Sequence, residues 1–429
     1  MGNKVIVIGA GVDKSEGIDM PLANELIIEL VKFTENQGKL ISEVVKKQVP
    51  NMRFSFKSFV KTGIDSILES DTREYTAKLV EKVNVLSTKY NTDRIKLFMA
   101  ISSKLNDIKS GNFIDDDTID IIKNIFSEDE LPDITENSLL DLKFFTFTDL
   151  FKKVIGRLLE ESIGLKQRSN EDGDIELYNL LLNEYLDFEK LLVDTFIGFY
   201  TKKNSDIKKY IYISWMLWAY LCWKEKRISA SLEELPVYSY IPKDWSVITF
   251  NYTSFARKCN PDALYFHGSL NEYIRLDNRN IVSIPLDRLK TTDDIKSFLE
   301  GIHQDMEKEI YFIPSIIPPL KLKPVISTNF LERWYKGKVL IEDSEELIVV
   351  GYSFASADEH INDILRQYKS KKVTIINPAY KKLIPMLKNI YRVREDDFTE
   401  TTIQEKKALV LDDITIIGAN ADEIDFTKL

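Results

Sequence analysis

Two short segments carry side chains that could do chemistry. They are Thr249-Phe250-Asn251-Tyr252-Thr253 and Phe266-His267-Gly268. Each closes an apolar run, Val247-Ile248-Thr249-Phe250 in the first case and Ala263-Leu264-Tyr265-Phe266 in the second, and each run reads as a buried strand. A polar residue where a strand of an open α/β sheet stops lies where such folds bind ligands. Asn251 could orient a water or hold a ribose hydroxyl. His267 could act as a general base, since an imidazole titrates near neutral pH. Taken singly, Asn251 has the alternative of an Asx-type turn and His267 that of a hydrogen-bonded core histidine. Taken together, at adjacent strand ends, they favour a reaction centre. The chain has only three histidines, His267, His303 and His360, which makes this one conspicuous.

Further strand ends surround the pair. Lys4–Ile8 followed by Gly9-Ala10-Gly11 reads as a first strand entering a glycine turn, where backbone N–H groups could approach a pyrophosphate. The third glycine of the full dinucleotide fingerprint is missing, and Gly17 is the nearest substitute. Val349-Val350-Gly351-Tyr352-Ser353 and Ile375-Ile376-Asn377-Pro378 end two more strands. Ser353 could reach a phosphate or ribose, and Asn377 an adenosine ribose or merely the turn before Pro378. Asp358 is expected to cap the following helix and His360, within it, to face solvent; His303 is assigned no function. No metal is expected, because no histidine pair has ligand spacing along the chain.

The elements that must position these residues follow from apolar periodicity. A helix is expected from near Pro21, with Leu22, Leu26, Ile27 and Leu30 on one face. Periodic helical texture then dominates residues 31–240, with long helices expected over Leu139–Leu165 and Ile175–Trp223. Strand signals return at Ser246–Phe250, Ala263–Phe266, Ile310–Ile313, Leu347–Val350, Val373–Ile376 and Ile414–Ile417, with helices at Asp358–Tyr368 and Lys381–Asn389. Unbroken Val/Ile runs of this kind suit a parallel sheet covered on both faces. The expected fold is α/β: a Rossmann-like, doubly wound, mostly parallel sheet from residues 1–30 and 241–429, with a large all-helical insertion, 31–240, after the first strand–helix unit.

Composition narrows the class. Of 429 residues, 44% are hydrophobic and 29% charged, as in a soluble globular protein, and the formal net charge of −10 argues against a general nucleic-acid binder. Two cysteines, Cys222 and Cys259, can build neither a disulfide framework nor a four-cysteine zinc site, and they fit free thiols in a reducing cytosol. The first residues read as a strand rather than a signal peptide. The most apolar stretch, Tyr210–Trp223, is too short for a membrane span and reads as a buried helix.

In this order, Gly9-Ala10-Gly11, Phe250-Asn251-Tyr252, His267-Gly268, Gly351-Tyr352-Ser353 and Asn377-Pro378 resemble the sirtuin-like family, and most closely its bacterial anti-phage branch. Pro318-Pro319 followed by Trp334 is similar to the branch's segment before the Gly-Tyr-Ser strand. The resemblance spans residues 1–30 and 241–380. It implies a cytoplasmic enzyme that takes NAD as substrate and hydrolyses it, depleting NAD in abortive infection. Asn251 and His267 would be catalytic, and Gly9, Ala10, Gly11, Asp13, Thr249, Gly268, Gly351, Ser353 and Asn377 would bind the dinucleotide. A homo-oligomer and an activator, either a HerA-type ATPase or a phage protein, are implied as partners. Departures are plain: the zinc module's cysteines are absent, Thr253 stands where deacylases carry an aspartate, and Val12-Asp13 replaces the usual serine. They point away from a lysine deacylase, toward water as acceptor. The other alternative is a sensor that binds NAD or ADP-ribose without turnover.

Overall fold

The computed structural model describes residues 3–49, 73–105, 116–126, 147–185, 204–231, 234–275, 278–286, 289–303, 312–318, 327–355, 358–368 and 372–429, with a few positions between 55 and 65. The chain divides into two compact units, Met1–Arg53 with Leu192–Leu429, and Phe54–Leu191.

The first unit is built on an eight-stranded sheet. Its strands are β1 (Lys4–Ile8), β2 (Ser246–Thr249), β3 (Leu264–Tyr265), β7 (Glu346–Val350), β8 (Lys372–Ile376), β9 (Thr399–Ile403), β10 (Lys406–Leu411) and β11 (Ile414–Ile417). They lie in the order β3-β2-β1-β7-β8-β11-β10-β9. From β3 to β11 every pairing is parallel; β10 and β9 add an antiparallel margin. All five residues of β7 are buried, as continuous apolar strands covered on both faces should be. Ile8 pairs with both Thr249 and Val350, so three strands end level. Chain order runs outward from β1 through β2 to β3, then returns to add β7 on β1's other side. The β1/β7 junction is therefore where strand order reverses, the usual ligand crevice of such sheets. One face packs Val5, Val7, Ile248, Leu347 and Val349 against Ile361 and Leu365 of the helix Glu359–Gln367.

A second, antiparallel sheet has the order β5-β4-β6, with β4 at Gly268–Arg275, β5 at Ile281–Ser283 and β6 at Phe312–Ile316. The expected strand Ile310–Ile313 is thus shifted, and it joins this small sheet rather than the large one; residues 310 and 311 lie outside the described residues. The long helix Asn204–Ser231 contains the expected buried stretch, with Trp215 and Trp218 fully buried. Their indole N–H groups donate to Phe312 O at 3.1 Å and Leu270 O at 2.6 Å, which satisfies the one polar atom each ring carries.

In the second unit the described elements are the helices Arg73–Ser87, Asp93–Leu105, Asp116–Ile125, Phe147–Ser162 and Asp172–Tyr185. Leu79, Val83, Phe98, Leu158 and Leu181 are among its buried residues. Fully buried Glu161 accepts from Arg94 Nε and Arg157 Nε, each at 2.7 Å, and from the Tyr178 hydroxyl. The expected insertion, 31–240, and the unit Phe54–Leu191 have different bounds: the helices Ala23–Glu35, Lys39–Gln48 and Asn204–Ser231 belong with the sheet. Of the two long helices expected, the described parts are Phe147–Ser162, Asp172–Tyr185 and Asn204–Ser231; residues 139–146 and 186–203 lie outside the described residues.

Candidate active site

The glycine turn after β1 packs on the turn after β7. Gly9 N–H donates to Val350 O and Gly11 N–H to Gly351 O, both at 2.9 Å. A Cβ on Gly9 would stand 2.5 Å from Gly351 O, and one on Gly351, at φ +63°, would stand 2.6 Å from Val12 N. Two backbones meet here at the point where strand order reverses, and only glycines leave room for them. The amides of Gly9 and Gly11, expected to hold pyrophosphate, are therefore engaged inside the fold. Ala10, exposed, begins the four-residue helix Ala10–Asp13.

Asn251 stands at the end of β2 in a buried polar set. Its N–H donates to Thr249 Oγ1 at 3.1 Å, a turn bond that uses the threonine hydroxyl and not the Asx-type contact weighed for the asparagine side chain. Its side-chain Nδ2 donates to Gly9 O at 3.1 Å and to Tyr238 Oη at 3.2 Å, which leaves Oδ1 as the group it could offer a ligand. Tyr238 in turn donates to Asp13 Oδ1, and Thr253 Oγ1 donates to Asp13 Oδ2 at 2.8 Å. Asp13 is 5% exposed. Burial pushes its carboxyl up to about 6; bonds from Tyr238, Thr253 and Asn251 pull it back, and the Glu225 charge pushes it further up. Glu225, fully buried in the helix Asn204–Ser231, accepts from Ser254 N–H at 2.9 Å and from its hydroxyl, so that helix holds the loop carrying Asn251 and Thr253. Val237, just before Tyr238, has φ +65°, an uncommon conformation for a β-branched residue and one that clusters at functional sites.

His267 belongs to a second set. It is 4% exposed, and its ring stacks on Phe250 with centroids 5.2 Å apart. Its Nε2 is 3.4 Å from Asp358 Oδ1, and the His360 ring lies 5.4 Å away. Trp334 packs on His360 at 4.3 Å and donates its indole N–H to Phe266 O at 3.0 Å. Two expectations are corrected here. His360 does not face solvent but sits half-buried between Trp334 and His267. Asp358 holds the N-cap position of its helix yet makes no side-chain cap bond, and its carboxylate faces His267 instead. Both follow from the chain after β7, which reaches across to the end of β3 and includes Phe354 at φ +54°.

One side-chain atom from each of His267, Asp358 and His360 lies within 4.8 Å of the other two. A tetrahedral ion with bonds of about 2.1 Å spaces its ligands by about 3.4 Å, so these are the described residues that could hold a metal. The fold brings the Asp358-x-His360 pair to His267 from a distant part of the chain.

The remaining expected residues have local roles. Gly268, at φ +84°, would place a Cβ 1.7 Å from Ser315 O, so the start of β4 requires glycine. Ser353 is exposed at the rim. Asn377 Nδ2 donates to Tyr352 O at 3.2 Å and its Oδ1 accepts from Ala379 N–H at 2.9 Å, shaping the turn. Sequence reading missed Tyr238, Glu225 and the outlook of Asp358. Tyr238 gave no signal, because its partner Asp13 lies 225 residues away. Asp358 and His360, in an Asp-x-His spacing just past a strand end, did give one.

No protein-family model matches the chain, and no curated protein matches it. Among the described residues, no helix is long and apolar enough to cross a membrane.

Proposed function

We propose that this chain hydrolyses NAD⁺ to nicotinamide and ADP-ribose. The observation that carries the reading is the placement of two buried polar sets, around Asn251 and around His267, at the ends of β1, β2 and β3, beside the junction where strand order reverses. The resemblance of the strand-end motifs to sirtuin-like NAD hydrolases supports it.

The scissile bond joins a cationic pyridinium to C1′ of ribose. As it breaks, its electron pair goes to the ring nitrogen and nicotinamide leaves neutral, so no acid is needed. The ribose passes through an oxocarbenium-like state, as in glycoside hydrolysis. Water then bonds to C1′ and gives up a proton. Asn251 Oδ1, the atom its hydrogen bonds leave over, accepts from that water or from a ribose hydroxyl. His267 accepts the released proton, with Asp358 at 3.4 Å to balance the imidazolium. Gly351 and Ser353 lie at the β7 end and Asn377 at the β8 end, on the side assigned to adenosine. Thr253, whose hydroxyl is bonded to Asp13, offers no carboxylate of its own, which is why the reading favours water over an acyl-lysine acceptor.

Unchecked NAD loss would kill the host, so the activity is gated, and phage infection acting through self-assembly or a partner such as a HerA-type ATPase is the trigger this reading takes. The test is nicotinamide release by purified protein. Turnover that survives both His267→Ala and Asn251→Ala would sink the assignment, and tight NAD binding with no release would support a sensor instead.

A further inference from the structure

Asp13 is a buried carboxylate that the reaction scheme above does not use. It belongs to the same hydrogen-bonded set as Asn251, through Tyr238, and it follows the turn at the end of β1. Burying a carboxylate without a cation is costly, and such groups are held only where hydrogen bonds or function compensate. Here the compensation is partial: the hydroxyls of Tyr238 and Thr253, a weaker contribution from the Asn251 amide, and no salt bridge among the described residues. Its charged and titratable neighbours are Glu225, whose negative charge opposes ionisation, and the phenols of Tyr238 and Tyr265, both held neutral by burial. The environment thus places an unneutralised carboxylate beside the asparagine proposed to meet the ribose.

A cation-forming reaction needs such a group. When the C1′–N bond breaks, positive charge moves from the pyridinium ring onto C1′ and the ring oxygen of ribose. A fixed anion in a water-poor site stabilises charge that develops there far more than it would in water. Resting on the hydrolase reading, we infer that Asp13 is a further catalytic residue, the anion that faces the cationic ribose, and that Thr253 and Tyr238 are positioning residues that keep it ionised. No bond forms to Asp13 and no proton need pass through it: the electron pair leaves with nicotinamide, and the proton of the attacking water goes to His267. The chain would then supply from Asp13, on its first turn, a carboxylate that Thr253 cannot provide but does hold.

The inference fixes a pattern of kinetics. Asp13 must be ionised, and its carboxyl titrates near 6, so the rate should fall on the acid side of about pH 6. Asp13→Asn keeps the size of the side chain and an acceptor for Tyr238 but removes the charge. We expect kcat to fall by about 10²–10³-fold with KM changed little, since the lost interaction is specific to the transition state. The component of the acid limb that Asp13 contributes should vanish with it, leaving the component set by the His267 base. Thr253→Val removes one hydrogen bond to the carboxylate, so Asp13 should ionise at higher pH and the limb should move up. The experiment is the pH profile of nicotinamide release for the wild type and both variants, with ADP-ribose binding by calorimetry to show that each variant holds its fold. A charge-free Asp13→Asn enzyme with wild-type kcat, or an acid limb unmoved in Thr253→Val, would overturn the inference while leaving the hydrolase reading standing. Absence of NAD hydrolysis in the wild type would overturn both.

Discussion

Side chains of three kinds meet at the strand ends, and their burial decides what each can do. Asp13 is the clearest case. Its carboxyl would lose its proton near 4 in the unfolded chain and holds it to about 6 in the folded one. Between those values the native state binds more protons, so this group makes stability fall as pH rises from 4 to 6, and the cost persists above 6. Asp13→Asn should therefore raise stability at pH 7.5, by on the order of 2 kcal/mol, and change little at pH 4. Thermal melting at the two pH values checks this; equal stability of the two proteins at pH 7.5 would contradict it. At this scale the sequence exposed Asn251 and His267, because each closes an apolar run with a polar residue. It concealed Tyr238 and Glu225, whose partners lie far away in sequence, and it misread Asp358, because a cap position and a contact with a distant histidine look alike in one dimension.

Strands and turns show a different division. Runs such as Val5-Ile6-Val7-Ile8 and Leu347-Ile348-Val349-Val350 announce a parallel sheet through composition alone, and β1, β7, β8 and β11 lie where those runs do. The three-stranded sheet was hidden for a physical reason. β4 buries Ser269 and Glu272 beside its apolar residues, and β6 carries Pro314, so neither shows clean alternation. Glycines in the turns were legible as glycines, but their duty was not: the turn glycines after β1 and β7 serve contact between two loops. Gly351→Ala would combine a left-handed φ with a Cβ 2.6 Å from Val12 N. Chemical denaturation should register a loss of about 2–4 kcal/mol, larger than the usual substitution of a surface glycine. Wild-type stability in that variant would show that the two loops are not tightly coupled.

At the scale of the molecule, the two compact units differ in what holds them. Besides its apolar layers the sheet-bearing unit pairs buried Glu346 with Lys4 and Lys372 at its surface, whereas in the unit Phe54–Leu191 fully buried Glu161 binds two arginines and Tyr178. Removing one member of such a set leaves buried charge uncompensated. Glu161→Gln should therefore destabilise that unit by about 3 kcal/mol, seen as new proteolytic cleavage confined to residues 54–191. An unchanged digestion pattern would show the set to be dispensable.

The central claim concerns the other unit, and release of nicotinamide from NAD⁺ by the purified chain tests it most directly. The account predicts ADP-ribose and nicotinamide in equal amounts from the wild type, and their loss in both His267→Ala and Asn251→Ala. Intact NAD⁺ after incubation with the wild type, under every assembly state and with each candidate activator supplied, would contradict it.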